Sequence, residues 1–185
     1  MTDALALLRR RGAVRSGHFL LSSGRHSDTY VEKARVFEDP AATVDLAQEI
    51  VSWYERIQAV VSPAVGALPL GFAVALAAES RFLYAEREDG RMTLRRGFLI
   101  RPGERVLVVE DVVTTGGSAA EVWDLAGSLG AELLGVAALV DRSTTELPFP
   151  LRALATVRAG SFDPEDCPLC AQGLEVEAPG SRHAG

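Results

Sequence analysis

Two adjacent carboxylates precede a group of hydroxyls and glycines in the middle of the chain. The acids are Glu110 and Asp111, and after two valines the chain continues with Thr114, Thr115, Gly116, Gly117 and Ser118. Glycines let backbone N–H groups approach an anion closely, and a helix N-terminus adds a favourable dipole. Adjacent carboxylates repel each other, and the cis hydroxyls of a ribose with a magnesium ion nearby would accommodate both. The segment therefore predicts a site for a sugar phosphate.

Apolar patterns on both sides of this segment predict the elements that position it. Residues 106–109 are four consecutive aliphatic residues, typical of a central strand buried on both faces. From Gly117 onward, apolar residues recur at helical spacing until Gly130. Ligands of open parallel sheets bind beyond the carboxyl ends of the strands, which favours a binding site here. The simpler alternative is a strand-to-helix turn in which the acids are ordinary helix-start residues.

Strand and helix patterns alternate through the middle two-thirds of the chain. Strands are predicted at residues 57–62, 81–85, 105–110, 133–140 and 152–157, and helices at 67–79 and 117–129, with a further helix from Pro40 after an Asp39 cap. Residues 86–96 are polar and arginine-rich, which fits an exposed loop or hairpin. The alternation predicts an α/β domain with a largely parallel sheet flanked by helices. The first forty residues break it and predict a small cap over one end of the sheet.

Composition excludes some classes of partner. The formal net charge of −6 argues against general nucleic-acid binding, because that binding is driven by neutralisation of phosphates. The apolar stretches are shorter than the ~20 residues that a membrane span needs. The N-terminus does not resemble a secretory signal, since its charges follow a short apolar segment instead of preceding it. We therefore expect a cytoplasmic enzyme without a membrane or nucleic-acid partner.

The aliphatic run, the two acids and Thr-x-Gly-Gly together resemble the motif that binds phosphoribosyl pyrophosphate (PRPP) in the type I phosphoribosyltransferases. The resemblance implies that family's fold, a parallel sheet flanked by helices with a small N-terminal hood. It implies one domain over residues 1–185, with a core of about 39–160 and a hood of about 1–38 plus the C-terminal segment. The loop would hold the 5′-phosphate and the acids would face the ribose hydroxyls. Mg²⁺ is expected to be carried by PRPP near Glu110 and Asp111, without direct ligation by the protein.

A second segment and a strand end resemble the orotate phosphoribosyltransferases. From Phe19 the chain reads Phe-x-Leu-x-Ser-Gly-Arg-x-Ser-x-x-Tyr, as in the hood segment of that family. On composition alone, a hairpin with polar turns is the alternative. Arg142 follows Leu-Val-Asp at a predicted strand end, and a guanidinium can pair with the orotate carboxylate or carbonyls in a fixed geometry. The resemblance implies that orotate contacts Ser22, Arg25, Tyr30, Thr114 and Arg142.

The implied activity is transfer of the phosphoribosyl group from PRPP to orotate, giving orotidine 5′-monophosphate and pyrophosphate in de novo pyrimidine (UMP) biosynthesis. Val65 and Gly66 align with the family's pyrophosphate loop, here without its lysine. Arg87 matches an arginine of the mobile catalytic loop, and Arg91 is taken to replace a second lysine, a role that Arg95 or Arg96 could fill instead. Arg87, Arg91 and Asp111 are the expected catalytic residues. That loop reaches the partner subunit's site in the family, so a homodimer is expected. The alternatives are another acceptor base, or a PRPP-sensing regulator without turnover.

Cys167 and Cys170 form a C-x-x-C pair near the C-terminus. Two cysteines cannot define a disulfide framework. They could supply half of a zinc site, but no second cysteine pair exists, and the three histidines lie at positions 18, 26 and 183. A simple thiol pair is therefore favoured over a metal shared across a dimer. His26 is expected either near the base or in an exposed turn.

Overall fold

The computed structural model describes residues 3–21 and 23–179 of the chain. The strands are β1 (Val14–Leu20), β2 (His26–Val31), β3 (Ala59–Pro63), β4 (Arg81–Glu88), β5 (Arg91–Leu94), β6 (Arg105–Val113), β7 (Glu132–Asp141) and β8 (Leu151–Thr156). The α-helices are α1 (Ala4–Arg10), α2 (Ala34–Phe37), α3 (Pro40–Val51), α4 (Leu68–Ala77), α5 (Gly117–Ser128) and α6 (Pro168–Ala171). A 3₁₀-helix, Pro164–Asp166, precedes α6.

Six strands form one sheet in the order β5-β4-β3-β6-β7-β8. The neighbouring strands β4-β3-β6-β7-β8 all pair in parallel, whereas the edge strand β5 is antiparallel to β4. This confirms the α/β fold with a mainly parallel sheet, and the polar residues predicted as a loop or hairpin form the β4–β5 hairpin. β6 lies inside the sheet, and all of its residues from Val106 to Asp111 are buried, as the aliphatic run predicts.

The core lies between the sheet and its helices. On one face, α5 contributes Ala119, Val122 and Ala126, which are one turn or two apart and pack on β3, β6 and β7. Burying the side chain of a valine such as Val122 stabilises the fold by roughly 1.5–3 kcal/mol. This packing fixes α5, and therefore fixes its N-terminus at the carboxyl end of β6.

Helix α3 begins where the sequence predicts. Asp39 is its cap, and the Asp39 carboxylate accepts a hydrogen bond from Ala42 N at 3.1 Å, while Pro40 occupies the first helical position. Both α3 and α5 contain 12 residues. Within the described ranges, no helix combines the length and apolar character needed to cross a bilayer.

The chain divides into two compact units. The core unit, Met1–Leu5 with Phe37–Val157, contains the six-stranded sheet. The terminal unit, Ala6–Val36 with Arg158–Gly185, contains the antiparallel pair β1–β2. Inside the terminal unit, bridges from Phe162 to β2 and from Glu177 to β1 join the C-terminal segment to this hairpin.

Candidate active site

The turn between β6 and α5 borders an open cavity. β6 ends at Val113 and α5 begins at Gly117, and the residues around the turn, Gly116 excepted, are exposed. The cavity has a volume of about 130 Å³ and is lined by Glu110, Val112, Val113, Thr114, Thr115, Gly116, Gly117, Ser118 and Ala119. Hydroxyls, glycine amides and a helix N-terminus converge here, which is the arrangement that binds a phosphate group.

Gly116 sets the shape of this turn. Its φ of 76° is in the left-handed region, which glycine adopts without strain. A Cβ on Gly116 would lie 2.7 Å from Leu147 Cδ2 and 3.2 Å from Phe149 Cζ. The turn is thus packed against residues 147–149 from within the core unit, and a side chain at position 116 would displace it.

The two acids lie inside β6 and not beyond its end. The strand continues to Val113, so the expectation that it ends at the acids is corrected, and the alternative that they begin the helix is excluded. Glu110 and Asp111 are 8% and 4% exposed. Buried carboxylates need hydrogen-bond partners; Glu110 Oε1 accepts from Asp111 N at 3.0 Å and Asp111 Oδ1 from Val112 N at 2.6 Å. Glu110 lines the cavity directly.

Arg142 lies beside the turn between β6 and α5, residues 114–116, which is the predicted phosphate-binding turn. Its backbone N–H donates to Val113 O at 2.8 Å, which connects the residue after β7 to the residue before Thr114. Asp141 Oδ1 accepts hydrogen bonds from Ser143 N at 2.8 Å and Ser143 Oγ at 2.7 Å, so the turn after β7 is held in place. The structure therefore brings Thr114 and Arg142 to one edge of the sheet.

Val65 and Gly66 connect β3 to α4 at the same edge. β3 is parallel and adjacent to β6, so the connections after both strands leave from the carboxyl edge of the sheet. Ala64 N donates to Ala85 O at 2.8 Å, the Ala64–Val65 peptide bond is cis, and Val65 is 77% exposed. Val65 is accordingly open to solvent at the edge of the sheet where the phosphate-binding turn lies.

Arg87 and Arg91 lie on the β4–β5 hairpin, and Arg87 is bound to α5. Its two terminal nitrogens donate to Glu121 at 3.0 and 2.7 Å, and one of them also donates to Gly90 O at 2.5 Å. The hydrogen bond from Arg87 lowers the pKa of Glu121, and the same contact raises the pKa of Arg87, so both groups are charged at neutral pH. Arg91 is exposed and forms no ion pair with any described residue.

Sequence reasoning missed Glu121. The residue lies one turn after Gly117 on α5, where an acid reads as an ordinary solvated side chain. Its partner is 34 positions away, and only the packing of the hairpin on α5 brings the two together. The neighbouring pairs Arg96–Glu86 at 2.9 Å and Arg95–Glu88 at 3.5 Å stay within the hairpin region.

Two of the predicted orotate contacts lie in the terminal unit, and Ser22 lies outside the described residues. Arg25 donates to Ser161 Oγ at 2.8 Å, Ser161 O at 2.9 Å and Asp163 Oδ1 at 2.5 Å. Tyr30 packs against Phe19 with ring centroids 5.6 Å apart, and burial raises its pKa. Arg25 therefore connects the hairpin to the C-terminal segment in this structure.

Known proteins resemble the chain over nearly its whole length. Residues 40–149 match the family model of the phosphoribosyl transferase domain. An orotate phosphoribosyltransferase of Desulforamulus reducens is 46% identical over 184 residues, covering 97% of this chain and 96% of the relative. Another, from Thermotoga maritima, is 46% identical over 180 residues, covering 95% and 96%.

Solved structures agree with these relatives. The crystal structure of orotate phosphoribosyltransferase from Aeropyrum pernix has a TM-score of 0.69 at 30% identity, covering 84% of this chain and 94% of that one. The Mycobacterium tuberculosis enzyme in complex with inorganic phosphate has a TM-score of 0.63 at 28% identity, covering 83% and 94%. The sheet, the phosphate-binding turn and the full-length similarity lead to one assignment. The chain belongs to the phosphoribosyltransferase family and, within it, to the orotate phosphoribosyltransferases.

Proposed function

We propose that the chain transfers the phosphoribosyl group of PRPP to orotate, releasing pyrophosphate and forming orotidine 5′-monophosphate for UMP synthesis in the cytoplasm. The observation that carries this proposal is the glycine turn after β6, with Glu110 and Asp111 buried in the strand that leads to it. The similarity to orotate phosphoribosyltransferases supports the choice of base.

The sugar phosphate would be held at the end of β6. Residues 114–118 provide hydroxyls and amides for the 5′-phosphate, while Glu110 and Asp111 accept hydrogen bonds from the ribose hydroxyls. One oxygen of each carboxylate already accepts from a backbone N–H, which keeps the two side chains in fixed positions. A carboxylate held near the ribose also stabilises the positive charge of an oxocarbenium-like sugar, so no side-chain nucleophile is required. We assign this catalytic role to Asp111.

Magnesium fits the donor set at this site. Carboxylate oxygens and substrate phosphates are the ligands that Mg²⁺ prefers, and it usually keeps several waters. We propose that the ion arrives with PRPP and lies near Glu110 and Asp111 without a dedicated protein cage. When bound, it supplies charge neutralisation to the pyrophosphate.

The departing pyrophosphate needs positive charge and backbone donors. Val65 and Gly66 are at the edge of the sheet where the phosphate-binding turn lies, and we assign their backbone N–H groups to this role. We assign charge stabilisation to Arg87 and Arg91 on the β4–β5 hairpin. Arg87 must exchange its Glu121 partner for the substrate, whereas Arg91 has no described carboxylate to leave. A hairpin that moves onto substrate would also exclude water from PRPP.

We assign orotate to Arg142 and Thr114 in the core unit, and the sequence resemblance adds Ser22, Arg25 and Tyr30 as further expected contacts. Arg142 is the residue that fits best, because its planar guanidinium can pair with a carboxylate in a bidentate geometry. Its backbone is already fixed beside the phosphate-binding turn.

A homodimer is supported by an exposed apolar face on the core unit. Phe72 and Leu76, one turn apart on α4, are 59% and 61% exposed. Phe72 continues into a row of aromatic rings through Phe82, Tyr84 and Phe98, with successive centroids 5.9, 6.1 and 5.1 Å apart. Exposed patches of this kind mark interaction surfaces. We propose that a second copy of the chain covers this face. In that dimer, the β4–β5 hairpin of each copy would reach the active site of the other.

A turnover assay tests the proposed function. Purified protein with PRPP and Mg²⁺ is supplied in turn with orotate, uracil and adenine, and base absorbance and pyrophosphate release are followed. We expect that orotate is the only one of the three bases to be consumed, and that EDTA abolishes this activity. Asp111→Asn should lower kcat at least roughly tenfold, because it removes charge beside the sugar, while Asp45→Asn on the exposed face of α3 should not. Tight PRPP binding without orotate consumption would instead favour the regulator, and turnover of another base would reject orotate.

A further inference from the structure

Two histidines and two cysteines meet in the terminal unit, and none of the four has a role in the proposed reaction. His26 is buried at the start of β2, so the expectation of an exposed turn is wrong. His18 lies in β1 and His26 begins β2, while Cys167 precedes α6 and Cys170 lies within it. One ligand atom from each residue, a ring nitrogen or a sulfur, lies within 4.8 Å of the others. Three of the four residues are buried, with His18 at 4%, His26 at 8% and Cys167 at 4% exposure.

The spacing of these atoms is close to that of a tetrahedral metal shell. For Zn–N of about 2.0 Å and Zn–S of about 2.3 Å, tetrahedral angles give nitrogen–sulfur separations of about 3.5 Å. The structure has three such separations, 3.5, 3.7 and 3.4 Å, joining His18 Nε2 to both sulfurs and His26 Nδ1 to Cys170 Sγ. The two ring nitrogens are 2.8 Å apart, against about 3.3 Å in an ideal shell, a difference that a small ring rotation removes.

A hydrogen bond outside the cluster selects the ligand atom of His18. His18 Nδ1 is 2.9 Å from Leu174 O, and a carbonyl can only accept, so Nδ1 carries the proton. In the neutral ring Nε2 is then unprotonated, and its lone pair points at the cluster. Metal-binding histidines are oriented by this kind of bond to a carbonyl. Leu174 belongs to the C-terminal segment, which Glu177 also joins to β1 through His18 O at 2.8 Å.

We propose that His18, His26, Cys167 and Cys170 bind one zinc ion in a structural Cys₂His₂ site. Thiolate and imidazole ligands in a four-coordinate arrangement select zinc, and four protein ligands leave no open position for catalysis. The terminal unit also has reason to use a metal, because small units rarely build a sufficient apolar core. Its buried apolar side chains among the described residues, apart from the ligand Cys167, are Leu8, Ala13, Phe19 and Val36.

This proposal differs from what the sequence favoured, a thiol pair with no metal ligated by the protein. The C-x-x-C pair alone supplies half a site, and the other half comes from a hairpin about 150 positions earlier. No dimer is needed, because all four ligands belong to one chain. The ion would join the C-terminal segment to the β1–β2 hairpin.

Metal content and cobalt spectroscopy test the proposal on the full chain. Protein purified under reducing conditions should contain one zinc per chain by mass spectrometry, and Cys170→Ser should weaken zinc binding at least roughly hundredfold. Cys170 is exposed, so this variant should fold. Glu165→Gln, an acid beside the pair in the 3₁₀-helix, is the matched control and should keep its zinc. Wild-type protein with Co²⁺ in place of zinc should show tetrahedral ligand-field bands with thiolate charge transfer, which no hydrogen-bonded cluster produces.

Chelation adds a readout that does not depend on activity. Removal of zinc should lower the melting temperature of the wild type and of Glu165→Gln, and zinc should restore it, whereas Cys170→Ser should respond to neither treatment. The proposal is overturned if the reduced wild type binds zinc or cobalt no better than Cys170→Ser. It is also overturned if the cysteines are isolated as a disulfide whose reduction creates no metal site, or if iron or copper occupies the cluster in place of zinc.

Discussion

The guanidinium of Arg87 and the carboxylate of Glu121 face each other in a two-point ion pair that joins the β4–β5 hairpin to α5. Glu121 lies in the first part of α5, close to the phosphate-binding turn. The ion pair therefore holds Arg87, a proposed catalytic residue, near that turn, with its positive charge balanced by the Glu121 carboxylate. The hydrogen bond from Arg87 lowers the pKa of Glu121 from its ordinary value. The pair is thus present at neutral pH and is lost as the pH falls through that lowered pKa.

Replacement of Glu121 by glutamine should lower the KM for PRPP. Arg87 would no longer leave a charged partner when pyrophosphate binds, so we expect the KM for PRPP to fall by less than roughly fivefold, the range of a solvent-screened ion pair. Steady-state kinetics against PRPP provide the measurement. Glu132→Gln is the matched control. Glu132 also pairs with an arginine, Arg105, but at the first residues of β7 and β6, at the other edge of the sheet from the site. A rise in KM for Glu121→Gln would mean that the pair positions Arg87 for substrate.

Removal of the Arg87 side chain should reduce the rate much more than the affinity. We expect Arg87→Ala to lower kcat roughly 10²–10³-fold, as the loss of one charge-stabilising donor does, with a small change in the Kd of PRPP. Arg91→Ala should show the same pattern. Arg95→Ala, whose side chain pairs with Glu88 at 3.5 Å, serves as the comparison on the same hairpin. Equal losses of kcat and PRPP affinity would reject the assignment of the hairpin to catalysis.

A methyl group at Gly116 should damage both the fold and phosphate binding. We expect Gly116→Ala to lower the free energy of unfolding by about 2–4 kcal/mol, from the left-handed backbone and the contact with Leu147 combined. Gly90→Ala separates the two causes, because Gly90 has φ of 81° and its Cβ would meet no described atom within 4 Å. Gly90→Ala should lower the free energy of unfolding by about 1 kcal/mol. Thermal unfolding with and without PRPP reports both effects, and equal destabilisation would show that the turn is not tightly packed.

Substitution of Arg142 should weaken the use of orotate without changing the affinity for PRPP. We expect Arg142→Lys to raise the KM for orotate about 10–100-fold, because lysine keeps the charge but loses the planar pair of donors. The Kd of PRPP should stay within about twofold, since the backbone bond from residue 142 to Val113 remains. Arg105→Lys at the opposite end of β6 is the matched substitution. An unchanged KM for orotate would place the base elsewhere.

A charge on the exposed face of α4 should separate the proposed dimer. We expect Phe72→Glu to shift the mass measured by light scattering from two chains to one, because a carboxylate buried in an apolar interface is strongly unfavourable. Leu129→Glu changes another exposed apolar residue, at the end of α5, and should leave the mass unchanged. A wild-type protein that is monomeric at assay concentration contradicts the dimer outright.

The sequence by itself determined the main strands of the sheet and the turn from β6 into α5. The run Val106–Val109 is typical of a strand buried on both faces, and the glycines that follow allow the tight turn into α5. Local chemistry was sufficient because these signals lie within a few residues of each other. The position of the acids was less secure, because a strand's last hydrogen bonds depend on its neighbours, and pairing with β7 extends β6 to Val113.

Only the tertiary structure decided which distant residues meet. Glu121 reaches Arg87 because the hairpin packs on α5, and His18 and His26 reach Cys167 and Cys170 because the C-terminal segment pairs with β1 and β2. Such contacts depend on how whole elements pack, and a side chain on an exposed helix turn or strand carries no local mark of a partner tens of residues away. The sequence therefore contained every ligand of the proposed zinc site, while the fold alone assembled them.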